Sequence, residues 1–176
     1  MKILITGHKG FVGRYFVKKY QDHDIVGVDL KDGNDCRDLF RESNEKFDMV
    51  IHLAAVVGGR VTIERSPLSI ATDLSIDSDM LQWALRTRPG RVVYFSSSAA
   101  YPIHLQSGPY RLKESDINLD DVHNPDMVYG WAKLTGEYCL RFLEQEGIRT
   151  HVFRPFSGYG ADQDLDYPFP SYINKG

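Results

Sequence analysis

The chain contains few cysteines and no long hydrophobic segment. Cys36 and Cys139 are its two cysteines among 176 residues, which excludes a disulfide scaffold and a cysteine-based metal centre and suits a reducing compartment. No apolar run approaches the roughly 18 residues of a membrane span. The apolar residues 1–7 lack the small-residue cleavage pattern of a signal peptide. These absences predict a cytoplasmic protein without a membrane partner.

The chain also lacks an excess of charge of either sign. Its 21 basic and 24 acidic residues give a formal net charge of -3, so its charge does not favour nucleic acid as a partner. The histidines do not have the spacing of metal ligands, and no repeat is visible. With 42% hydrophobic residues, the chain is long enough to bury one core.

Short apolar segments alternate with stretches of helical periodicity along the sequence. This alternation predicts an α/β fold, in which the strands form a parallel sheet and helices cover its faces. The predicted strands are residues 2–6, 24–29, 48–53, 91–96 and 150–154. The predicted helices are residues 10–20, 35–41, 67–87 and 126–146. Residues 102–124 show no period and are predicted to form a loop that borders the site.

The last predicted helix has two apolar stripes. The first stripe, which is expected to cover the sheet, consists of Tyr129, Ala132, Gly136, Leu140 and Leu143. The second consists of Trp131, Leu134, Tyr138 and Phe142. Either another element of the same chain or a second copy of the chain covers this second stripe, and we expect a homodimer through the two long helices.

A glycine-rich loop follows the first predicted strand. Gly7, Gly10 and Gly13 allow a tight turn, a close approach of the backbone to a pyrophosphate, and close packing of helix on strand. Asp29 ends the second strand, 16 residues beyond Gly13, where a carboxylate accepts hydrogen bonds from an adenosine ribose and repels a 2′-phosphate. The pattern predicts a dinucleotide site that favours NAD, and the nearby Lys31 leaves NADP open.

A tyrosine and a lysine four residues apart lie on the last long helix. Tyr129 and Lys133 share one helical face, and a tyrosine with a pKa of about 10 moves protons at neutral pH only where a cation stabilises its phenolate. The serines at 96–98 follow the fourth strand, at the edge where open α/β sheets bind ligands. Together with the glycine loop, they predict a site in which Tyr129 moves a proton and a serine holds a substrate oxygen.

These motifs resemble the extended short-chain dehydrogenase/reductase superfamily, the nucleotide-sugar epimerases, dehydratases and reductases. The resemblance spans nearly the whole chain. It rests on the glycine loop, Asp29, residues 35–38, 52–55 and 96–98 with Tyr101, then Tyr129, Lys133 and residues 154–160. It implies a Rossmann-like doubly wound parallel sheet, an NAD cofactor and a nucleotide-sugar substrate.

The resemblance also implies a role for individual residues. Ser97, Tyr129 and Lys133 would be catalytic, Asp35 and Cys36 would flank the adenine, and Lys133 would also hold the nicotinamide ribose. The implied cofactor contacts are Gly7, Gly10, Phe11, Val12, Gly13, Asp29, Asp35, Cys36, Leu53, Ala54, Ala55, Ser96, Tyr129 and Lys133. No metal ligand is implied.

The family's spacing selects Ser97, four residues before Tyr101, as the catalytic hydroxyl. Related 4,6-dehydratases carry an Asp-Glu pair where this chain has Ser98 and Ala99, and GDP-mannose 3,5-epimerases and GDP-fucose synthases carry a cysteine where it has Ala99. The remaining chemistry is 4-epimerisation through a transient keto-sugar, or the reaction of an NAD(P)H-dependent keto-sugar reductase or dehydrogenase. The alternative of another class is a non-catalytic dinucleotide-binding module or sensor, but Tyr129 and Lys133 are both present and favour the enzyme.

Three features depart from the family's pattern. Asp73 replaces a usual asparagine, with Ile76 and Asp77 following it, and residues 157–160 lack the usual Asn-Val-Tyr-Gly. Family members are also longer. We therefore expect residues 1–160 to form the NAD(P)-binding domain and residues 161–176 to begin a C-terminal substrate-binding region that is largely missing, in a fragment, a truncated gene product or a chain shown without its remainder.

Overall fold

The chain forms one parallel sheet in a computed structural model, which describes residues 1–58, 60–156, 158–160, 162–163, 165 and 168–173. The strands in this part are β1 (Lys2–Thr6), β2 (Asp24–Val28), β3 (Met49–His52), β4 (Arg91–Phe95) and β5 (Arg149–Phe153). Their order across the sheet is β2-β1-β3-β4-β5, and all neighbouring pairs are parallel. The predicted parallel sheet is confirmed, with strand ends within one residue of those expected.

The helices are α1 (Gly13–Lys19), α2 (Cys36–Glu42), α3 (Arg60–Arg65), α4 (Ser69–Thr87), α5 (Met127–Gln145) and α6 (Pro168–Ile173). The predicted start of α1 is three residues too early, because the Gly10 N–H closes a turn onto the Gly7 carbonyl at 3.0 Å. The short α3 has no counterpart among the predicted helices, since six residues are too few to show a period. Among the described residues, no helix combines the length and the hydrophobicity needed to cross a membrane.

The hydrophobic core lies on both faces of the sheet. On one face, α2, α4 and α5 pack around Trp83, whose ring centroid is 5.5 Å from that of Phe40. On the other face lies α1, and its Phe16 meets Phe95 of β4 at 5.6 Å. Full burial of a ring such as that of Phe40 contributes about 1.5–3 kcal/mol. Helices on both faces make the sheet doubly wound, as predicted.

Helix α5 buries one of its two apolar stripes. Ala132, Gly136, Leu140 and Leu143 of the first stripe are buried, and so is Leu134 of the second. Trp131, Tyr138 and Phe142 instead remain 41%, 43% and 44% exposed. The described part of the chain therefore leaves these three rings open to solvent, and the homodimer stays a prediction.

The segment between β4 and α5 is largely irregular, as expected for residues 102–124. It contains short 3-10 turns at Ile103–Leu105 and Glu114–Asp116. An isolated antiparallel bridge between Pro102 and Pro125 joins its two ends. The bridge brings the chain back to the sheet edge just before α5 begins.

Candidate functional site

The predicted site residues follow the carboxyl ends of adjacent strands. β1 lies between β2 and β3. The connection from β1 to β2 therefore runs to one side of β1, and the connection from β2 to β3 crosses to its other side. Open α/β sheets bind ligands in the crevice at such a switch point. Gly7 follows β1, Asp29 follows β2, Leu53 follows β3 and Ser96 follows β4. The fold thus brings these positions to one edge of the sheet.

The glycine loop is a tight turn that packs against the end of β3. Gly7 has a φ of 69°, and its N–H donates to the Val28 carbonyl at 2.8 Å. A Cβ atom on Gly13 would overlap the Gly7 carbonyl oxygen and lie 2.7 Å from the His8 Cα, while one on Gly7 would lie 3.1 Å from the Ala54 nitrogen. Glycine is therefore required at both positions, as in a loop whose backbone approaches a pyrophosphate.

Asp29 fixes the loops at the ends of β1 and β2. Its carboxylate accepts the Lys9 backbone N–H at 2.8 Å and the Lys31 backbone N–H at 2.9 Å, one on each oxygen. Each carboxylate oxygen has a further lone pair that can accept from a ribose hydroxyl. The Lys9 ammonium is paired with Asp32, and the Lys31 ammonium donates to the Lys9 carbonyl at 3.3 Å. Asp29 is thus held beside two lysines.

Phe11 and Val12 lie within the glycine loop. Val12 is exposed, and the Phe11 ring meets the Tyr15 ring edge-on at 5.9 Å. A Cβ atom on Gly160 would lie 3.0 Å from the Phe11 ring, and the Tyr15 hydroxyl donates to Asp162 at 3.1 Å. The segment after β5 therefore returns across the loop and the first turns of α1.

Asp35 and Cys36 begin α2 and face different surroundings. Asp35 caps the helix by accepting the Arg37 N–H at 2.9 Å, and the hydrogen bonds from Arg37 lower the pKa of Asp35. The Cys36 side chain is buried in the core, where burial raises the pKa of its thiol to about 12. Asp35 lies at the surface end of α2, and the Cys36 thiol points inward.

Across the described ranges, no three His, Cys, Asp or Glu side chains form a group that could hold a metal ion.

Leu53, Ala54 and Ala55 follow β3 and are half-buried. The N–H groups of Leu53 and Ala54 both donate to the Thr6 hydroxyl oxygen at 3.1 Å. This hydroxyl ties the end of β3 to the last residue of β1, directly behind the glycine loop. The sequence patterns did not indicate Thr6 as part of the site.

The serines after β4 divide between two environments. Ser97 is half-buried and accepts the Ala99 N–H at 3.1 Å, which caps the 3-10 turn Ser98–Ala100. Ser96 is 3% exposed, and its hydroxyl donates to the buried carboxylate of Glu137. The hydroxyl of Ser96 is therefore engaged by α5.

The start of α5 docks directly on the turn that Ser97 caps. The Asp126 N–H donates to the Ala99 carbonyl at 2.9 Å, and a Cβ atom on Gly130 would overlap that same carbonyl oxygen. Tyr129 is the residue before Gly130, so this contact brings Tyr129 to the Ser97 turn. Sequence spacing alone does not indicate that Gly130 is what permits the approach.

Lys133 lies in a buried position between two tyrosine rings. Lys133 is 3% exposed. The Nζ atom is 5.7 Å from the centroid of the Tyr129 ring and 5.0 Å from that of the Tyr94 ring. A charged ammonium in this position interacts favourably with both rings and favours the phenolate form of a neighbouring tyrosine.

A buried hydrogen-bonded network lies beside Lys133 and was not predicted. The Thr6 hydroxyl contacts the His52 Nδ1 atom at 2.9 Å, and the His52 Nε2 atom contacts Asp77 Oδ1 at 3.2 Å. The Tyr94 hydroxyl donates to Asp77 Oδ2 at 2.6 Å. The network therefore joins β1, β3, α4 and β4. The departure from the family pattern at Asp77 was the signal in the sequence that could have indicated it.

Asp73 lies one turn before Asp77 on α4 and is also buried. Its Oδ1 atom accepts the Val56 N–H at 2.6 Å. Burial raises the pKa of Asp73, while the Val56 hydrogen bond and the charge of Lys133 oppose that rise. Burial acts against the charge of Asp77 as well, but the hydrogen bond from His52 and the charge of Lys133 outweigh it and lower the pKa of Asp77.

The partly buried Arg154 forms an ion pair with the buried Glu137. The Arg154 Nη2 atom lies 2.7 Å from Glu137 Oε2, and its Nε atom lies 3.0 Å from Oε1. Burial disfavours the guanidinium charge, but the hydrogen bonds to Glu137 outweigh this and raise the pKa of Arg154. Its Nη1 atom also donates to the Glu114 carbonyl at 3.0 Å. Arg154 thus joins the end of β5 to α5 and to the irregular segment before it.

Curated relatives of the chain include enzymes of nucleotide-sugar metabolism. The chain is 27% identical over 192 residues to a dTDP-4-dehydro-6-deoxy-D-allose reductase of a Streptomyces species, covering 93% of this chain and 58% of the relative. It is 27% identical over 181 residues to GDP-L-fucose synthase 1 of Arabidopsis thaliana, covering 98% and 54%. The chain therefore spans somewhat more than half the length of these relatives.

Solved structures confirm the predicted Rossmann-like fold. A dTDP-glucose 4,6-dehydratase from Streptomyces venezuelae with NAD bound has a TM-score of 0.80 at 20% identity, covering 99% of this chain and 62% of that one. The Thermus thermophilus UDP-glucose 4-epimerase in complex with NAD has a TM-score of 0.77 at 18% identity, covering 99% and 61%. A GDP-L-fucose synthetase from Naegleria fowleri bound to NADP has a TM-score of 0.78 at 21% identity, covering 99% and 60%.

The sequence also matches a described protein family over almost its full length. The match covers residues 3–175 and includes the glycine loop, Asp29, Tyr129 and Lys133. With the parallel sheet and the site at its carboxyl edge, this match confirms the predicted family. The chain belongs to the NAD dependent epimerase/dehydratase family.

Proposed function

We propose that this chain carries the dinucleotide site and the acid–base residues of an NAD-dependent nucleotide-sugar 4-epimerase. The observation that carries the proposal is the position of the Lys133 ammonium, 5.7 Å from the Tyr129 ring centroid, on a helix docked against the turn that Ser97 caps. Tyr129, Lys133 and Ser97 are the residue types that the reaction requires. They follow a glycine loop at the switch point of a parallel sheet.

The residues at the sheet edge fit a dinucleotide. The close contact between Gly13 and the Gly7 carbonyl is the packing that a pyrophosphate-binding loop needs. Asp29, at the end of β2, is fixed by two backbone N–H groups and retains acceptor capacity for an adenosine ribose. Of the other predicted contacts, Ala54 and Ala55 follow β3 next to the loop. The Cys36 thiol faces the core, so the thiol does not contact the cofactor. Cys36 contributes to the site only through its backbone and by placing Asp35.

The chain's own residues supply the proton chemistry. Tyr129 accepts the proton of a sugar hydroxyl and later returns it, which contributes roughly 10²–10⁴-fold to the rate when the group is well placed. Lys133 lowers the free energy of the phenolate form of Tyr129, because its positive charge lies beside the ring. Ser97 orients the same sugar oxygen. Bound NAD supplies the hydride acceptor and donor in this chemistry.

The residues after Ser97 argue against dehydration and against cysteine-dependent epimerisation. Ser98 and Ala99 occupy the positions where those reactions require an acid, and Ala99 is buried with its carbonyl bonded to the Asp126 N–H. Neither side chain can protonate a sugar ring carbon. The reaction left to Ser97, Tyr129 and Lys133 is oxidation or reduction at one carbon.

An NAD(P)H-dependent keto-sugar reductase or dehydrogenase is the second candidate. It is favoured by Lys31, whose backbone N–H donates to Asp29 and whose ammonium is suited to a 2′-phosphate. The relatives described as a reductase and as a GDP-L-fucose synthase agree with it. A reductase uses the same acid–base residues once, in the direction of proton donation, whereas an epimerase uses them twice.

The wider organisation of the protein is part of the proposal. Residues 1–160 form the cofactor domain, and residues 161–176 begin a substrate-binding region that selects the nucleotide sugar. The exposed rings of Trp131, Tyr138 and Phe142 on α5 support a homodimer through α4 and α5. The near-neutral charge and the two free thiols suit the cytoplasm.

The test combines cofactor binding with product analysis. The chain is incubated with NAD and a panel of UDP-, GDP-, dTDP- and CDP-sugars, and separately with NADH or NADPH and 4-keto-sugars, and products are identified by NMR beside a Tyr129→Phe control. Epimer formation without net consumption of NAD supports the 4-epimerase. Stoichiometric oxidation of NADH or NADPH with a 4-keto-sugar favours the reductase, and dinucleotide binding without turnover of any sugar favours the binding module.

A further inference from the structure

We propose that Asp77 is a positioning residue of the acid–base site, whose carboxylate is the counter-charge that keeps Lys133 protonated beside Tyr129. The inference rests on the proposed function for the role of Lys133. It assigns a task to a residue that departs from the family's pattern and that has no place in the proposed reaction otherwise.

Burial is what creates the need for a counter-charge. Lys133 is 3% exposed, and a buried ammonium without an opposite charge loses its proton or destabilises the fold. A neutral amine would give Tyr129 no electrostatic help. The contacts of the Lys133 ammonium with the Tyr94 and Tyr129 rings stabilise its charge less than hydration by water would.

Helix packing brings Asp77 against the face of α5 that carries Lys133. A Cβ atom on Gly136 would lie 2.9 Å from Asp77 Oδ2 and would overlap the Tyr94 hydroxyl. Gly136 is three residues after Lys133, so the two share one face of α5. The face of α5 that carries Lys133 is therefore in contact with the carboxylate of Asp77, and the Tyr94 ring that Lys133 covers is the one whose hydroxyl donates to Asp77.

The direction of the hydrogen bonds leaves Asp77 its negative charge. The Thr6 hydroxyl oxygen accepts the N–H groups of Leu53 and Ala54, so its own hydrogen donates to the His52 Nδ1 atom at 2.9 Å. An imidazole that accepts at Nδ1 is neutral and carries its hydrogen on Nε2, from which it donates to Asp77 Oδ1. His52 and Tyr94 therefore hold the carboxylate as hydrogen-bond donors without neutralising it.

The other titratable groups nearby hold a negative charge less well than Asp77 does. Asp73 is a second buried carboxylate that interacts with the Lys133 charge, but burial raises its pKa, whereas the His52 hydrogen bond and the Lys133 charge outweigh burial and lower the pKa of Asp77. Burial raises the pKa values of the Tyr94 hydroxyl and of the Cys36 and Cys139 thiols, with a further rise from Asp77, so all three remain neutral. Glu137 lies one turn after Lys133 on α5, but its carboxylate is paired with Arg154. The Tyr129 ring also lies beside Lys133, and Tyr129 gains from the ammonium rather than neutralising it.

The test measures the proton on Lys133 in the ligand-free chain by competitive acetylation. A trace of acetic anhydride reacts with neutral amines, and mass spectrometry gives the extent of acetylation of Lys133 relative to the exposed Lys18 at pH 8. In Asp77→Asn the amide accepts from His52 and donates to the Tyr94 oxygen, so both hydrogen bonds persist while the charge is lost. We expect the relative acetylation of Lys133 to rise about tenfold.

Three further variants separate charge from packing. Asp79→Asn removes a carboxylate from the same helix, where it pairs with Arg41, and Tyr94→Phe removes a hydrogen bond of Asp77 while leaving its charge; both are expected to stay within about threefold of wild type. Asp77→Thr repeats the loss of charge if Asp77→Asn does not fold. An unchanged or reduced acetylation of Lys133 in the charge-loss variants, or an equal rise in Tyr94→Phe, overturns the inference. The assay uses neither cofactor nor sugar, so its outcome is independent of the proposed reaction.

Discussion

The Nζ atom of Lys133 lies 5.7 Å from the centroid of the Tyr129 ring. One helical turn separates the two residues, and the lysine is the more deeply buried of the pair. A cation in this position stabilises a phenolate more strongly than the same cation would in water, because the surroundings screen the charge less. The proposed role of Tyr129 in proton transfer near neutral pH depends on this placement.

Replacement of Tyr129 by phenylalanine should abolish turnover and spare cofactor binding. The ring and its packing remain, and only the hydroxyl that moves the proton is lost. We expect turnover to fall at least about 100-fold, with the dissociation constant of NADH unchanged within twofold in calorimetry. A variant that retains more than a tenth of wild-type turnover contradicts the role of Tyr129.

Replacement of Gly13 by alanine should abolish dinucleotide binding. The added methyl group would overlap the Gly7 carbonyl oxygen and press on the His8 backbone, which displaces the loop. We expect the affinity for NADH to fall at least about 100-fold, a loss of roughly 3 kcal/mol. Gly158→Ala is the matched control, because a Cβ atom there meets no atom of the described residues within 4 Å, and it should bind NADH as the wild type does.

Replacement of Asp73 by asparagine should stabilise the chain at neutral pH. The pKa of Asp73 is raised by burial from its ordinary value of 3.8. The contribution of Asp73 to stability is therefore present below pH 3.8 and is lost as the pH rises through the raised pKa. Asparagine can still accept the Val56 N–H and avoids this loss, so we expect a gain on the order of 1 kcal/mol at pH 7.5.

Thermal unfolding at several pH values checks this prediction. The difference between Asp73→Asn and wild type should be largest at pH 7–8 and should vanish below about pH 4. A stability difference that does not change with pH would show that the charge of Asp73 is not its cause. Asp79→Asn is the control for loss of a carboxylate from α4 at a position paired with Arg41.

Replacement of Glu137 by glutamine should destabilise the chain. Glu137 is buried and receives hydrogen bonds from Ser96 and Arg154, so its loss leaves a partly buried guanidinium without an opposite charge. We expect a cost of about 3 kcal/mol in urea unfolding. The double variant Glu137→Gln/Arg154→Met should cost less than the sum of the two single variants. Additive costs would contradict direct coupling between the two residues.

The features that the sequence predicts well are local ones. The three glycines, the Tyr129–Lys133 spacing and the strand periods each occupy a few neighbouring residues, and the parallel sheet formed as expected. The start of α1 was predicted three residues too early, because apolar Phe11 and Val12 continue the helical pattern through a turn that Gly7 forces. Periodicity does not register such a turn.

The features that the sequence could not predict join distant elements. The network of Thr6, His52, Asp77 and Tyr94 draws one residue from each of four elements, and no spacing relates them. The hydroxyl of Ser96 donates to Glu137, 41 residues away, a partner that no local pattern indicates, and the expected cofactor contact of Ser96 stays a prediction. Both cases depend on how α4 and α5 pack on the sheet, which single-chain patterns do not specify.

Calorimetric titration of the chain with NADH, NAD, NADPH and NADP, beside Asp29→Ala, is the most direct test of the dinucleotide site. Asp29 is the carboxylate fixed at the end of β2, where it would accept the adenosine ribose. The site described above predicts saturable binding of NADH or NADPH by the wild type and at least a tenfold loss of NADH affinity in the variant. No binding by the folded wild-type chain, or equal NADH affinity in Asp29→Ala, would contradict it.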